Sequence, residues 1–296
     1  MTVIIAGGTG FLGRKLEKRL TGEGHRAILL SRRPGGPDTV TWRPDGSAGN
    51  LAPHLEGVDA VVNLAGEGIA DRRWSASRKA ALRSSRILAT RTLARAMAAC
   101  RRPPRVFVSA SAVGYYGPHG DEPVTESTPP GSDFLATLCI EWEQEAQAAS
   151  TQTRVAIIRT GLPLSADGGA LAKMLLPFKL GGGGPFGSGN QYMPWIHIDD
   201  WTSLVAWLIG DERSAGAFNA TAPAPVTNRA FAHALGRALH RPAVMPMPAF
   251  ALRLVVGELA TALLTGQRAL PTHAERLGFR FVYADIDAAF ASLLNP

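Results

Sequence analysis

Cysteine is scarce in this chain: Cys100 and Cys139 are the only two in 296 residues. They form neither a metal-ligand spacing nor a disulfide framework, so a reducing compartment is expected. Long apolar runs are missing. The most apolar late stretch, 249–264, carries Arg253 and Glu258 and is too short and too charged to cross a bilayer. An apolar strand pattern starts at residue 2, so no signal or transit peptide is expected, and the cytoplasm is the expected compartment. The formal net charge is +7, yet no basic block is interleaved with aromatics and no nucleic-acid motif is found. The charge therefore reads as an arginine-rich solvated surface, part of it serving an anionic ligand, with no nucleic-acid partner and no membrane. His233 and His240 stand on one predicted helix without partners, and no metal is expected. No internal repeat or flexible linker divides the chain. What remains, 46% hydrophobic and 19% charged, suffices for a large α/β core.

The strongest signal is Gly7-Gly8-Thr9-Gly10-Phe11-Leu12-Gly13, which follows the apolar strand Val3-Ile4-Ile5. Leu12, Leu16 and Leu20 then recur at helical spacing. Gly8-x-Gly10-x-x-Gly13 fits the dinucleotide pattern, and Gly7-x-x-Gly10-x-x-Gly13 fits a variant of it. Glycines let the backbone turn tightly and let phosphate oxygens approach without a Cβ in the way. The helix start offers unpaired N–H groups to an anion. Gly7 through Gly13 are thus the expected pyrophosphate contacts.

Further strands are predicted over 25–30, 39–42, 59–63, 105–109 and 154–159. Ser75 caps a long predicted helix ending near Cys100, and Asp133 caps another running to about Ser150. This alternation predicts an α/β doubly wound parallel sheet, a Rossmann fold. After Gly161 loops lengthen. A strand is expected near 191–197, then a helix capped by Asp199 or Asp200, a helix from Thr227 and a helix over 249–264. A late strand over 279–283 and a helix capped by Asp285 complete the pattern. Residues 1–165 are expected to form the nucleotide-binding domain, with 190–222 returning to it. Residues 166–189 and 223–296 would form a smaller, interlaced substrate-binding lobe.

At the end of the second strand stands Ser31-Arg32-Arg33, with no acid. A carboxylate there would hold the ribose hydroxyls of NAD, whereas a guanidinium binds a 2′-phosphate. The cofactor expected is NADP(H), with Arg32 the main contact. Asn63-Leu64-Ala65-Gly66 ends the fourth strand with small residues that let a dinucleotide lie against the backbone, and Glu67 beside them can accept a ribose hydroxyl. Leu64, Ala65, Gly66 and Glu67 therefore join the expected contacts. The fifth strand runs out through Ser109, Ser111, Tyr115 and Tyr116, hydroxyls suited to polarising a carbonyl or relaying a proton. Gln267-Arg268 can point into a substrate cleft, where arginine suits a carboxylate or phosphate.

Together with Ile196-His197-Ile198-Asp199-Asp200, these stretches resemble the extended short-chain dehydrogenase/reductases, NAD(P)-dependent Rossmann-fold epimerases, dehydratases and reductases. Tyr115-Tyr116-Gly117, Cys139-Ile140-Glu141-Trp142-Glu143 and Gly266-Gln267-Arg268-Ala269-Leu270-Pro271 resemble a poorly characterised epimerase-family branch. The resemblance places Thr160, Gly161 and Leu162 beside the nicotinamide, turns Arg86 of the long helix towards the cofactor and makes Ser109 a further contact. It also exposes a departure. The family's Tyr-x-x-x-Lys pair falls on Asp133 and Thr137, which cannot do its work. Catalysis, if retained, would rest on Ser111 with Tyr115 or Tyr116. The expected function is an NADP(H)-dependent oxidoreductase or epimerase acting on a small polar substrate such as a nucleotide sugar. The alternative is a catalytically inactive NADP(H)-binding sensor or interaction protein. Assembly as a homodimer stays open.

Overall fold

The computed structural model describes residues 1–294. Along the chain run β1 (Thr2–Ala6), α1 (Phe11–Gly22), β2 (Arg26–Ser31), β3 (Thr39–Thr41), α2 (Ala52–Leu55), β4 (Ala60–Asn63), α3 (Ala76–Ala98) and β5 (Val106–Ala112). Then come β6 (Pro123–Val124), α4 (Phe134–Gln147), β7 (Arg154–Thr160), β8 (Leu162–Ser165), α5 (Gly169–Lys179), β9 (Tyr192–Met193), β10 (Trp195–His197), α6 (Ile198–Gly210) and β11 (Gly216–Ala220). The rest is β12 (Val226–Thr227), α7 (Asn228–Ala238), α8 (Ala249–Val256), α9 (Leu259–Thr265), β13 (Arg268–Ala269), α10 (Thr272–Arg276) and α11 (Ile286–Leu294).

Seven parallel strands in the order β11-β7-β5-β4-β1-β2-β3 form the doubly wound sheet. Strand periodicity sends Val3 and Ile5 to one face and Ile4 and Ala6 to the other. The first pair packs with Leu16, Leu20, Trp201 and Leu204. The second packs with Leu93, Met97, Phe107 and Ile157. Both faces are covered, which is why β1 reads as an unbroken apolar run. A separate core joins Leu164, Leu171, Trp195, Phe231, Leu235 and Phe290. Among the described residues no helix is long and apolar enough to cross a membrane, and both cysteines are free and buried.

Ser75, Asp133 and Asp285 cap helices as expected, and Thr227, the expected helix start, is the cap of α7. Several expectations need correction. The seventh strand, β11, was not foreseen; its sequence Gly-Ala-Phe-Asn-Ala lacks the β-branched residues that mark strands. The stretch near 191–197 divides into β9 and β10. The cap of α6 is His197, whose Nδ1 accepts the Asp199 N–H at 3.0 Å, not Asp199 or Asp200. Asp200 is buried instead and accepts the backbone N–H groups of Val282 and Tyr283, both at 2.9 Å. Those donors are then lost to any ladder, so 279–283 is a loop rather than a strand. The 249–264 helix is two helices, because Gly257 turns the chain with φ +66°. Here α8 and α9 are fastened to the loop after β4 and to the first turn of α3: Arg73 of the loop donates to the Leu254 and Val255 carbonyls, and Lys79 of α3 pairs with Glu258.

Candidate functional site

The carboxyl ends of β1 and β4 meet where the strand order reverses, the usual ligand crevice of an open α/β sheet. Gly7 lies at φ +80°, and a Cβ on it would stand 2.6 Å from the Leu64 carbonyl carbon. A Cβ on Gly13 would stand 2.3 Å from the Gly7 oxygen and 2.5 Å from the Gly8 Cα. Only hydrogen at both positions lets α1 press onto the turn and the turn onto β4. Gly10 donates its N–H to Gly7 O at 3.0 Å, and as the helix cap it brings no side chain to the first N–H groups of α1. Those donors are left for an anion.

The facing turn is shaped from beneath. Asn63 is fully buried; its Nδ2 donates to Thr90 Oγ1 at 2.8 Å and its Oδ1 accepts the Ala65 N–H at 3.1 Å. Arg86 donates to the Glu67 and Leu82 carbonyls at 2.9 and 3.0 Å and lies over the Trp142 ring. Burial holds its pKa below the ordinary arginine value. Arg86 therefore braces the 63–67 backbone rather than reaching out from α3. Ser85 Oγ accepts the Glu67 N–H at 3.2 Å. The Glu67 carboxylate, expected on a ribose, is paired with Arg78.

Between these turns opens a cleft of about 1030 Å³. Gly7, Thr9 and Gly10 line it, as do Leu64, Ala65, Gly66 and Glu67. Ser31, Arg32 and Arg33 line it from the β2 end. The Arg33 N–H donates to Ser31 Oγ at 3.1 Å, which folds the short loop. Both guanidiniums are exposed, and neither meets a hydrogen-bond or ion-pair partner among the described residues. Sequence reasoning missed the apolar walls: Trp42 and Pro44 after β3, and Leu88 and Ala89 on α3. The i,i+4 spacing of Ser84 with Leu88 and of Ser85 with Ala89 was the available signal.

Other expected contacts lie outside this cleft. Gly8 is buried against Leu29, Leu12 packs into the core beside Leu16, and Ser109 is fully buried behind Asn63. The Phe11 ring lies under Gly168 and Gly169, where a Cβ would meet it at 2.4 and 3.1 Å. Thr160 Oγ1 accepts from Trp201 Nε1 at 3.2 Å. Gly161 touches Pro194 so closely that a Cβ would stand 1.9 Å from its carbonyl oxygen. The Gly161 and Leu162 N–H groups donate to the Ala220 and Pro194 carbonyls and are not available to a ligand.

The serine and tyrosines beyond β5 enter a buried polar network. Ser111, 3% exposed, donates to Glu143 Oε1 at 2.6 Å. Glu143 also takes a two-pronged pair from Arg159, at 2.9 and 2.8 Å. Burial pulls the Arg159 pKa down, but the hydrogen bonds and charge of Glu143 more than offset it, and the net shift is upward. Tyr116, 1% exposed, donates to Asn219 Oδ1 at 2.7 Å and accepts from Arg159 at 3.0 Å. Burial pushes its phenol up to about 12. Ser111 and Tyr116 are thus not presented to a ligand, contrary to the sequence expectation. Tyr115 differs: it is half-buried, Arg159 Cζ lies 3.5 Å from its ring centroid, and its hydroxyl has no partner among the described residues. Asp133 and Thr137, at the Tyr-x-x-x-Lys positions, form a helix cap, with Thr137 Oγ1 donating to the Asp133 carbonyl at 2.9 Å.

Residues 3–220 match the model of the NAD dependent epimerase/dehydratase family, and residues 247–293 match a domain of unknown function. The epimerase family protein SDR39U1 of Bos taurus is 41% identical over 299 residues, covering 99% of this chain and 100% of that one. The crystal structure of human epimerase family protein SDR39U1 (isoform 2) with NADPH is 36% identical, with a TM-score of 0.93, covering 100% of this chain and 99% of that one. A nucleoside-diphosphate sugar epimerase from Corynebacterium glutamicum is 37% identical, with a TM-score of 0.82, over 99% of this chain and 58% of that one. The glycine turn at the sheet's switch point, the topology around it and these full-length likenesses agree: the chain belongs to the NAD-dependent epimerase/dehydratase family.

Proposed function

We propose that the chain is an NADP(H)-dependent oxidoreductase or epimerase acting on a small polar substrate such as a nucleotide sugar. One observation carries the cofactor: a single cleft joins the anion seat at Gly7, Thr9 and Gly10 to two guanidiniums that have no hydrogen-bond or ion-pair partner among the described residues. The residues present fit the group. Gly7, Gly10 and the start of α1 would hold the pyrophosphate, and Arg32 with Arg33 the 2′-phosphate. Leu64–Glu67 would lie along the ribose and Trp42 along the apolar part. We assign Thr160–Leu162 to the nicotinamide side, residues 166–189 and 223–296 to the substrate-binding lobe, and the protein to the cytoplasm. When bound, the nicotinamide supplies or accepts a hydride. The chain's own contribution is to orient both reactants and to move a proton at a substrate oxygen.

For that proton the geometry favours the Tyr115 hydroxyl. Tyr115→Phe is expected to lower turnover by about 100-fold with little change in stability. Tyr116→Phe should instead cost about 1–3 kcal/mol of stability, because Asn219 and Arg159 lose a buried partner. Chemical denaturation and NADPH oxidation against carbonyl and sugar-nucleotide panels separate the two; equal kinetic loss in both would overturn the assignment. A second reading, an NADP(H)-binding sensor without chemistry, is favoured by the capped start of α4 where the family's tyrosine and lysine would stand. Tight cofactor binding with no turnover on any panel member would select it. For the cofactor, Arg32→Ala is expected to weaken NADPH by about 10–100-fold, the worth of a charge-assisted hydrogen bond, and NADH by less than about threefold. Calorimetric titration of both coenzymes checks this, and equal losses refute it.

A further inference from the structure

Apolar side chains that project into water are gathered in one region. Of the ten large hydrophobic side chains exposed among the described residues, eight lie in 176–180, 244–247 and 250–255. These segments are joined. The N–H groups of Met245 and Met247 donate to the Gly183 and Pro185 carbonyls at 3.3 and 2.9 Å, so 244–247 runs beside the chain that leaves α5. Gly184 lets the two runs touch, since a Cβ there would stand 2.1 Å from the Met245 oxygen. Directly after them α8 begins. Leu176 and Leu180, like Phe250 and Leu254, are spaced i,i+4 and share a face. Leu180 is 78% exposed and Leu254 70%, so these tips stand clear of the fold. An apolar cluster of this kind outside the core marks a surface that something covers.

The charges around it have one sign. No Asp or Glu occurs in 168–198 or 214–257, which carry Lys173, Lys179, Arg229, Arg237, Arg241 and Arg253. Lys173 shares the exposed face of Leu176 and Leu180, at i, i+3 and i+7. The side chains of Lys173, Lys179 and Arg253 are exposed and have no hydrogen-bond or ion-pair partner among the described residues. Next to the apolar edge, a cleft of about 580 Å³ is lined by His233, Arg237, His240 and Arg241 together with Val244. Arg241 Nε donates to the Lys179 carbonyl at 3.1 Å and ties this cleft to the end of α5. The carboxylate that meets it from α11, Asp287, is taken up by Arg237 at 2.7 Å.

This pattern selects among occupants. A second copy on a two-fold contact would set like charge against like. Projecting apolar tips beside free cations match a layered partner, with anionic groups at its surface and hydrocarbon beneath. Long basic side chains reach the head groups while their neighbours enter the layer. We propose that this edge docks on an anionic lipid surface: the apolar tips of α5 and α8 enter the interface, and Lys173, Lys179 and Arg253 meet the lipid phosphates. The proposal goes beyond the cofactor reading and does not depend on it. No described helix is long and apolar enough to cross a bilayer, which leaves lying on one open. From sequence no membrane partner is expected, because 176–180 and 244–255 come together only in the fold.

The test mixes the full chain with vesicles of equimolar phosphatidylcholine and phosphatidylglycerol, or of phosphatidylcholine alone, and sediments them. The chain is expected to sediment with the anionic vesicles only and to be released as salt rises. Phe250→Ser with Leu254→Ser should weaken binding by about 10–100-fold, the loss of two inserted side chains. Lys179→Glu with Arg253→Glu should weaken it by at least about 25-fold, about fivefold for each cation removed. Val282→Ser, an exposed apolar position outside the three segments, should change nothing. Every replaced side chain is exposed, so thermal unfolding of the variants should match wild type. No sedimentation with anionic vesicles, equal sedimentation with both kinds, or wild-type binding in the two double variants overturns the proposal. A lipid-free dimer that Phe250→Ser with Leu254→Ser dissociates would hand the edge to a second copy. Polyglutamate bound in preference to the vesicles would hand it to an acidic protein. Either result also overturns the lipid assignment.

Discussion

Arg159→Met is expected to lower the free energy of unfolding by about 3–5 kcal/mol, the usual consequence of stranding one member of a buried ion pair. Arg159 is 4% exposed and does three things at once. It takes both Glu143 oxygens, donates to the Tyr116 hydroxyl and donates to the Glu126 carbonyl at 3.2 Å. Its removal leaves a carboxylate in a low-dielectric setting with only Ser111 Oγ for company. The double replacement Arg159→Met with Glu143→Leu should recover much of the loss, since two apolar side chains strand no charge. Urea denaturation of wild type and the two variants measures this. A single variant as stable as wild type would show that the pair contributes nothing.

Gly13→Ala is expected to cost about 1–3 kcal/mol of stability by overpacking. It should also weaken NADPH by about 100-fold, the loss of roughly two charge-assisted hydrogen bonds. The added methyl would meet the Gly7 oxygen and the Gly8 Cα, both backbone atoms, so no side chain can swing aside. The turn itself must move, and the anion seat moves with it. Gly22→Ala on the same helix, where nothing lies within 4 Å of the new Cβ, is the matched control and should leave the Kd unchanged. Unchanged affinity in Gly13→Ala would mean that the pyrophosphate is held elsewhere.

The parts of this molecule legible from residues alone share one property: the signal is local. Val3-Ile4-Ile5 with its glycines needs no partner to be read, because a doubly covered strand and a Cβ-free turn write themselves in consecutive positions. The same holds for Arg32 and Arg33, whose setting is defined by the strand just before them. What escaped is non-local. Trp42 and Leu88 meet across the cleft only once β3 and α3 are placed. Glu143 and Arg159 become one unit only when α4 packs beside β7. The types of Ser111 and Tyr116 were visible, but their burial was not, and burial turned expected catalysts into scaffold. Residues 279–283 carry a strand-like pattern that a distant carboxylate, Asp200, overrides by capturing two amides.

The fastening of α8 and α9 to the loop after β4 and the start of α3 depends little on charge. Its contacts are a guanidinium on two carbonyls and one exposed ion pair, Lys79 with Glu258. An exposed pair of that kind contributes about 0–1 kcal/mol and weakens as salt rises. The salt-sensitive share of this fastening is therefore small, and the Arg73 hydrogen bonds, made to neutral carbonyls, should outlast the ion pair as ionic strength rises.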